Sequence, residues 1–187
     1  MLLQTRYVTD EEFDHFVMLP ENRDRNFEFI AGEIVEVVSN SKSSREAARM
    51  LGRVIVHVED NNLGCVTGAD SGYMVYGEKY IPDAAFISYA RQPIAPDVAY
   101  NLVAPDLAIE VLSPGNTDSP DERDKMLRKI GNYLAAGTVL WLADPEQKTI
   151  DVYIPRQPRK TLRMGDYLEG GNVLPGFRLA VADIFKD

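Results

Sequence analysis

The sequence predicts an α/β domain, a mixed β-sheet core flanked by helices with added β-hairpins. Apolar residues recur at helical spacing in three segments. Short β-rich runs bounded by Gly, Pro, Asn and Asp lie between them. The third observation is the aliphatic run Leu107-Ala108-Ile109-Glu110-Val111-Leu112. It stands between Pro105 and the Ser113-Pro114-Gly115-Asn116 turn cluster, and its length and apolarity suit a buried strand. The 187 residues bound one domain, 1–187, long enough to bury a core.

The elements follow in order. Thr9-Asp10-Glu11-Glu12 is a capping-box pattern opening a helix that stops near Leu19, before Pro20. Phe13, Phe16 and Val17 share one face of it. Residues 27–38 form two β-rich runs joined at Ala31-Gly32, a hairpin in which Glu33 opens the second strand and reads as a solvated edge residue. A polar loop at 39–44 precedes a helix of about twenty residues whose buried face is Ala47, Leu51, Val54, Ile55 and Val58. Lys42, Arg45, Arg49 and Arg53 fall on its opposite face. That stripe is either solvated or a surface for phosphate.

Residues 65–69 and 73–76 read as two strands joined by the Asp70-Ser71-Gly72 turn, with Gly77-Glu78-Lys79 as the next turn. Residues 80–87 read as one strand, with Pro82 near its start and Asp83 just inside it. A loop at 91–102 leads to the central strand. The helix at 121–136 has acids at its start and Gly137 at its stop. Met126, Ile130, Tyr133 and Leu134 form its core stripe. Lys129 lies beside that stripe, so its stem can follow buried surface while the ammonium reaches a cavity. Residues 139–145 and 148–154 pair as a hairpin, and Arg156, Arg159, Lys160 and Arg163 form a second basic cluster.

Composition narrows the function classes. A net charge of −9 argues against broad phosphate binding, although residues 1–36 hold most of the excess acid and the bases elsewhere are clustered. The sequence has no apolar run of about eighteen residues, the length that spans a bilayer. The start lacks a signal-peptide pattern and the lone Cys65 allows no internal disulfide, so the expectation is a cytoplasmic protein without a membrane partner.

The chemistry centres on Glu110. A carboxylate inside an aliphatic strand loses its hydration unless a cation or hydrogen bonds replace the water. It is either ion-paired to an internal Lys or Arg or is a metal ligand. Asp83 is a second carboxylate in a mostly apolar strand, and the two could lie on neighbouring strands. Hard cations such as Mg²⁺ take one or two carboxylates together with water and substrate phosphate. A nearby lysine then positions or deprotonates the water and neutralises charge developing on phosphorus.

Pro82-Asp83 followed by Pro105-Asp106-Leu107-Ala108-Ile109-Glu110-Val111-Leu112-Ser113-Pro114 resembles the Uma-two family of restriction-endonuclease-like proteins. Lys129-Ile130-Gly131-Asn132-Tyr133, Ala136-Gly137 and Trp141-Leu142-Ala143-Asp144-Pro145 resemble its next block. Phe29-Ile30-Ala31-Gly32-Glu33-Ile34 and Leu174-Pro175-Gly176-Phe177 resemble its first and last blocks, in order along nearly the whole chain. The resemblance implies the restriction-endonuclease-like fold of the PD-(D/E)xK nucleases and metal-dependent hydrolysis of DNA. It implies Asp83 and Glu110 as metal ligands, the Val111 carbonyl as a third donor, and Glu33 as the acidic residue supplied from the early core. The lysine usually two residues after the Glu is replaced by Leu112, and Lys129 on the following helix matches the migrated position. Mg²⁺ (or Mn²⁺) as cofactor, DNA as partner and a homodimer follow as expectations. Family members commonly carry a His early in the helix after the hairpin, where this chain reads Ser43-Ser44-Arg45-Glu46-Ala47. The alternative is a non-catalytic nucleic-acid-binding or partner-binding protein that retains the nuclease fold and binds through Lys42, Arg45, Arg49 and Arg53.

Overall fold

The structure is a computed structural model, and it describes residues 7–37, 41–113 and 119–186, with the side chains of 41 and 42 outside that set. The start of the chain, the loop at 39–40 and the turn cluster from Pro114 onward therefore lie outside the described residues. Two mixed sheets stack face to face. The N-terminal sheet has the order β2-β1-β5-β4-β7 and the central sheet the order β11-β10-β9-β8-β6-β3.

Helix α1 (Asp10–Val17) begins with the expected capping box, Thr9 Oγ1 accepting from the Glu12 amide and Glu12 accepting from the Thr9 amide. β1 (Phe27–Ile30) and β2 (Glu33–Glu36) form the expected hairpin, in which Ala31 and Gly32 both take positive φ, as a tight two-residue turn requires. Strand alternation sends Phe27 and Phe29 outward onto α1 and leaves Glu28 and Ile30 facing the central sheet. On the outer face Lys79 pins α1, its ammonium 2.8 Å from Asp10 and 2.5 Å from Asp14. Phe13 packs beside it with its ring centroid 5.5 Å from that of Phe29.

Helix α2 (Ser41–Asp60) crosses the opposite face of the central sheet, with Ala47, Met50, Val54 and Val58 in the core. β3 (Gly64–Gly68) is an edge strand of the central sheet, whereas β4 (Gly72–Val75) belongs to the N-terminal sheet. The expected turn between them is therefore a switch from one sheet to the other at Ala69–Ser71. The expected strand over 80–87 is also two strands. β5 (Glu78–Tyr80) pairs with β1 and β4, and β6 (Ala84–Ser88) pairs with β3 and β8. The break falls at Ile81-Pro82-Asp83, where Pro82 has no N–H to give a ladder. Glu78 and Lys79 are thus strand residues, and the turn before them is Tyr76-Gly77. β7 (Tyr100–Asn101) adds a short parallel edge within the expected loop.

β8 (Leu107–Val111) is buried throughout and lies parallel to β9 (Val139–Asp144). Helix α3 (Pro120–Ala135) makes the crossover between them, capped by Ser119 at the start and followed by Gly137 at φ 80°. The crossover seats α3 beside the N-terminal sheet, so Ile130 and Tyr133 share a core with Ile30, Tyr80, Ala108 and Leu140. β10 (Thr149–Tyr153) and β11 (Lys160–Leu162) extend the central sheet. A two-stranded piece, β12 (Tyr167–Glu169) with β13 (Arg178–Ala180), and helix α4 (Val181–Ile184) close the α2 side, where Phe177 lies against Trp141. No described helix is long and apolar enough to cross a membrane.

Candidate active site

Where β8 ends and α3 begins, the two sheets and the first turn of α2 leave an open pocket of about 510 Å³. That volume falls within the usual range of small-ligand clefts. Asp83, Glu110, Val111 and Lys129 all line it, together with Glu28, Ser43, Asp70 and Lys125. The register of β6 on β8 pairs Ala84 with Ile109, so Asp83, one residue before β6, comes opposite Glu110. Antiparallel neighbours on one face approach closely, which brings the two carboxylates together. Asp83 Oδ2 accepts the Val111 amide at 2.7 Å, which ties the two strand ends together at the site.

Lys129 reaches the same point from α3. Its ammonium is 2.9 Å from Glu110 Oε1, and it donates to Glu28 Oε1 at 2.9 Å and Oε2 at 3.2 Å. Tyr133, one helical turn further on, donates its hydroxyl to Glu110 Oε1 at 2.8 Å. Glu28 also accepts the Ile81 amide at 2.8 Å, so β1 is fastened to the segment that carries Asp83. Three carboxylates therefore face one ammonium, with Glu28 and Glu110 closed off from water and Asp83 half-buried at the pocket wall.

The electrostatics follow from that closure. Burial pushes the Glu110 carboxyl up to about 7; Lys129 opposes the rise, and Glu28 and Asp83 add to it. Asp83 is raised by the same desolvation, with the Val111 amide and Lys129 opposing. Burial alone would lower the Lys129 ammonium, but Glu110 and Glu28 outweigh it and hold Lys129 well above the usual lysine range. Paired in this way, the Lys129 side chain is held in its charged form at neutral pH. Burial, then Glu110 and Glu28, push the Tyr133 phenol well above its ordinary value, so its hydroxyl stays a donor.

Glu33 does not join this group. It shares a hairpin face with Glu28, but it sits beside the turn, where its carboxylate is 3.2 Å from Lys125 and half exposed. Lys125 and Lys129 are one turn apart on α3, so the helix lays one lysine over Glu33 and the other over Glu28. Glu28 is the early acidic residue that the structure brings into the site. Its sequence signal is Ile30, two residues on and therefore on the same strand face. With Phe27 and Phe29 on the other face, a strand apolar on both sides buries everything it carries.

The basic stripe on α2 is broken. Arg45 and Arg53 are exposed, but Arg49 is half-buried and donates to the Ile184 carbonyl at 2.8 Å and the Lys186 carbonyl at 2.5 Å. Arg49 thus anchors the C-terminal segment, and the side chain of Lys42 lies outside the described residues.

Among the described residues, no three Asp, Glu, His or Cys side chains are grouped to hold a metal ion by themselves. The donor chemistry nonetheless fits a hard cation. Glu110 accepts its hydrogen bonds at Oε1 and Asp83 at Oδ2, and the residues line an open pocket where substrate and water can complete a coordination shell. Excess buried negative charge is the condition that a bound cation relieves.

The crystal structure of a putative nuclease belonging to DUF820 from Anabaena variabilis ATCC 29413 superposes with a TM-score of 0.77 at 24% identity, over 92% of this chain and 96% of that one. This likeness shows that the two share a fold. No curated protein matches the sequence. The model of the Uma2 family, described as putative restriction endonuclease, matches residues 11–182. The chain belongs to the Uma2 family of putative restriction endonucleases.

Proposed function

We propose that this protein is a Mg²⁺-dependent endonuclease that hydrolyses DNA phosphodiester bonds. The observation that supports it most is the meeting of Asp83 and Glu110 across adjacent strands, with the Lys129 ammonium 2.9 Å from Glu110, at the wall of an open pocket. Asp83 and Glu110 would hold the divalent ion, and when bound it supplies Lewis acidity and a water more acidic than bulk. The Val111 carbonyl, at the end of β8, remains the proposed third donor. Lys129 binds and orients. Its fixed positive charge sits where negative charge develops on the phosphoryl oxygens, and stabilisation of that kind is commonly the largest catalytic contribution. Glu28 keeps that ammonium in place from the far side. Arg45 and Arg53, exposed on α2, are the proposed contacts to backbone phosphate further along the strand.

Plasmid DNA incubated with Mg²⁺ or Mn²⁺ tests the reading. Asp83→Ala and Glu110→Ala are each expected to lose cleavage by at least about a hundredfold. Full cleavage by the Glu110 variant would overturn it. The second reading, a non-catalytic binding protein with this fold, draws on the Lys129 ammonium, which already pairs with both Glu28 and Glu110. It predicts salt-sensitive DNA binding that Arg45→Ala and Arg53→Ala weaken, with no cleavage at any metal concentration.

A further inference from the structure

The geometry points to Tyr133 as a positioning residue: its hydroxyl fixes which oxygen of Glu110 is presented to a divalent cation. This rests on the metal-dependent reading above. Glu110 is held by two donors from one helix face, Lys129 and Tyr133, four residues apart on α3. Both go to the same oxygen, Oε1, at 2.9 and 2.8 Å. A carboxylate oxygen has two lone-pair sites, so Oε1 is filled by those donors and Oε2 is the oxygen left for a ligand in the pocket. The two donors are not equivalent. Lys129 divides its hydrogen bonds between Glu110 and Glu28, whereas Glu110 is the acceptor the structure gives for the Tyr133 hydroxyl. The Tyr133 ring is fully buried beside Ile130, Ala108 and Leu140, with its centroid 5.4 Å from the Tyr80 ring. The hydroxyl is therefore aimed by packing. Without it, Glu110 keeps one inner anchor, and that anchor is shared.

Tyr80 provides the control. It is equally buried in the same aromatic pair, but its hydroxyl donates to Glu78 Oε2 at 2.6 Å and accepts from Asn132 at 2.6 Å. Removing either hydroxyl leaves a similar small defect in the same core, and the Tyr133 variant alone loses a contact with Glu110.

The experiment titrates the full chain with Mn²⁺ and counts free Mn²⁺ by electron paramagnetic resonance. Tyr133→Phe is expected to weaken binding about tenfold or more, the scale on which hydrogen-bond partners of metal ligands act, with Tyr80→Phe within about twofold of the unmutated protein. Tyr133→Phe binding as tightly as the unmutated protein would overturn the inference and leave the metal reading standing. Equal weakening by both variants would overturn it too, because a general core defect would then explain the loss. Failure of the unmutated protein to bind Mn²⁺ would overturn both. If Tyr133→Phe does not fold, crystals of the unmutated protein soaked in Mn²⁺ decide. Manganese on Glu110 Oε2, with the Tyr133 hydroxyl still on Oε1, supports the inference; manganese on Oε1 overturns it.

Discussion

Two lysines are buried against the N-terminal sheet, one on each face, and each ammonium lies between two carboxylates. Lys79, on the outer face, pairs with Asp10 and Asp14 of α1, whose side chains are 50% and 56% exposed. Lys129, on the inner face, pairs with Glu28 and Glu110, whose side chains are only 8% and 9% exposed, and Asp83 stands beside them. By ion pairs alone the two clusters are alike. They differ in where their negative charge can go. Water solvates the excess on Asp10 and Asp14, so Lys79 is complete as a clamp for α1. At Lys129 the carboxylates outnumber the cation where water is scarce, and desolvated charge of that kind is what a metal or a phosphate-bound metal neutralises.

The sharpest test of the contrast removes each cation. Lys129→Met leaves Glu28, Glu110 and Asp83 uncompensated and is expected to destabilise the protein by about 3–5 kcal/mol in urea denaturation, the usual effect of breaking a buried pair. Lys79→Met keeps the packing of the stem and lets Asp10 and Asp14 rehydrate, so a loss of only about 1 kcal/mol is expected, from the ion pairs and the ammonium over the Phe13 ring. Equal losses would erase the distinction.

The next comparison lies within the hairpin. Glu28→Gln removes half of the negative charge that holds Lys129, and cleavage is expected to fall by about a hundredfold, whereas Glu33→Gln should stay within about threefold of the unmutated rate. A reversed order in a cleavage assay would return Glu33 to the site.

The pH dependence of the metal-free protein is a third probe. Glu110 is raised from the ordinary 4.5 to about 7 by burial, and Asp83 moves in the same direction. The native state therefore holds these protons more tightly than the unfolded chain. Their contribution to stability is complete below pH 4.5 and is lost as pH rises through about 7. Thermal midpoints of the metal-free protein should fall across that interval, and Glu110→Gln should flatten the slope.

The smallest expected effect is at Glu46. It lies on the inward stripe of α2, with Oε2 buried and without a hydrogen-bond partner among the described residues. Glu46→Met should raise stability by about 1 kcal/mol, because a buried unmet acceptor is replaced by apolar volume. A loss of stability would mean that the carboxylate has a polar partner.

Sequence reading reached Asp83, Glu110 and Lys129 because each breaks a local pattern: a carboxylate in or beside an aliphatic strand, and a lysine at the edge of a helical core stripe. Glu28 gives a fainter signal, since Phe27-Glu28-Phe29 reads as ordinary alternation and only Ile30 marks its face as apolar too. Its burial depends on a second sheet and on α3, which a local window cannot see. The site role for Glu33 comes from the family resemblance alone; from its own position it reads as a solvated edge residue, and it is half exposed against Lys125. The division of residues 64–88 between two sheets was hidden for a related reason. Pro82 signals a strand start, but only tertiary pairing shows that the residues before and after it join different sheets.

The contacts that build the site also span very different lengths of chain. Asp83 meets the Val111 amide across 28 positions, and Glu110 meets Tyr133 across 23, whereas Glu28 meets Lys129 across 101. Contacts between distant positions carry the larger loop-closure entropy and are established later. In refolding, the β6–β8–α3 half is expected to gain hydrogen-exchange protection first, with its acids facing water and one lysine. The arrival of β1 then seals that half. The docking of β1 is thus the step expected to take Glu28 and Glu110 out of water, leaving their charge to Lys129 and to whatever binds the pocket.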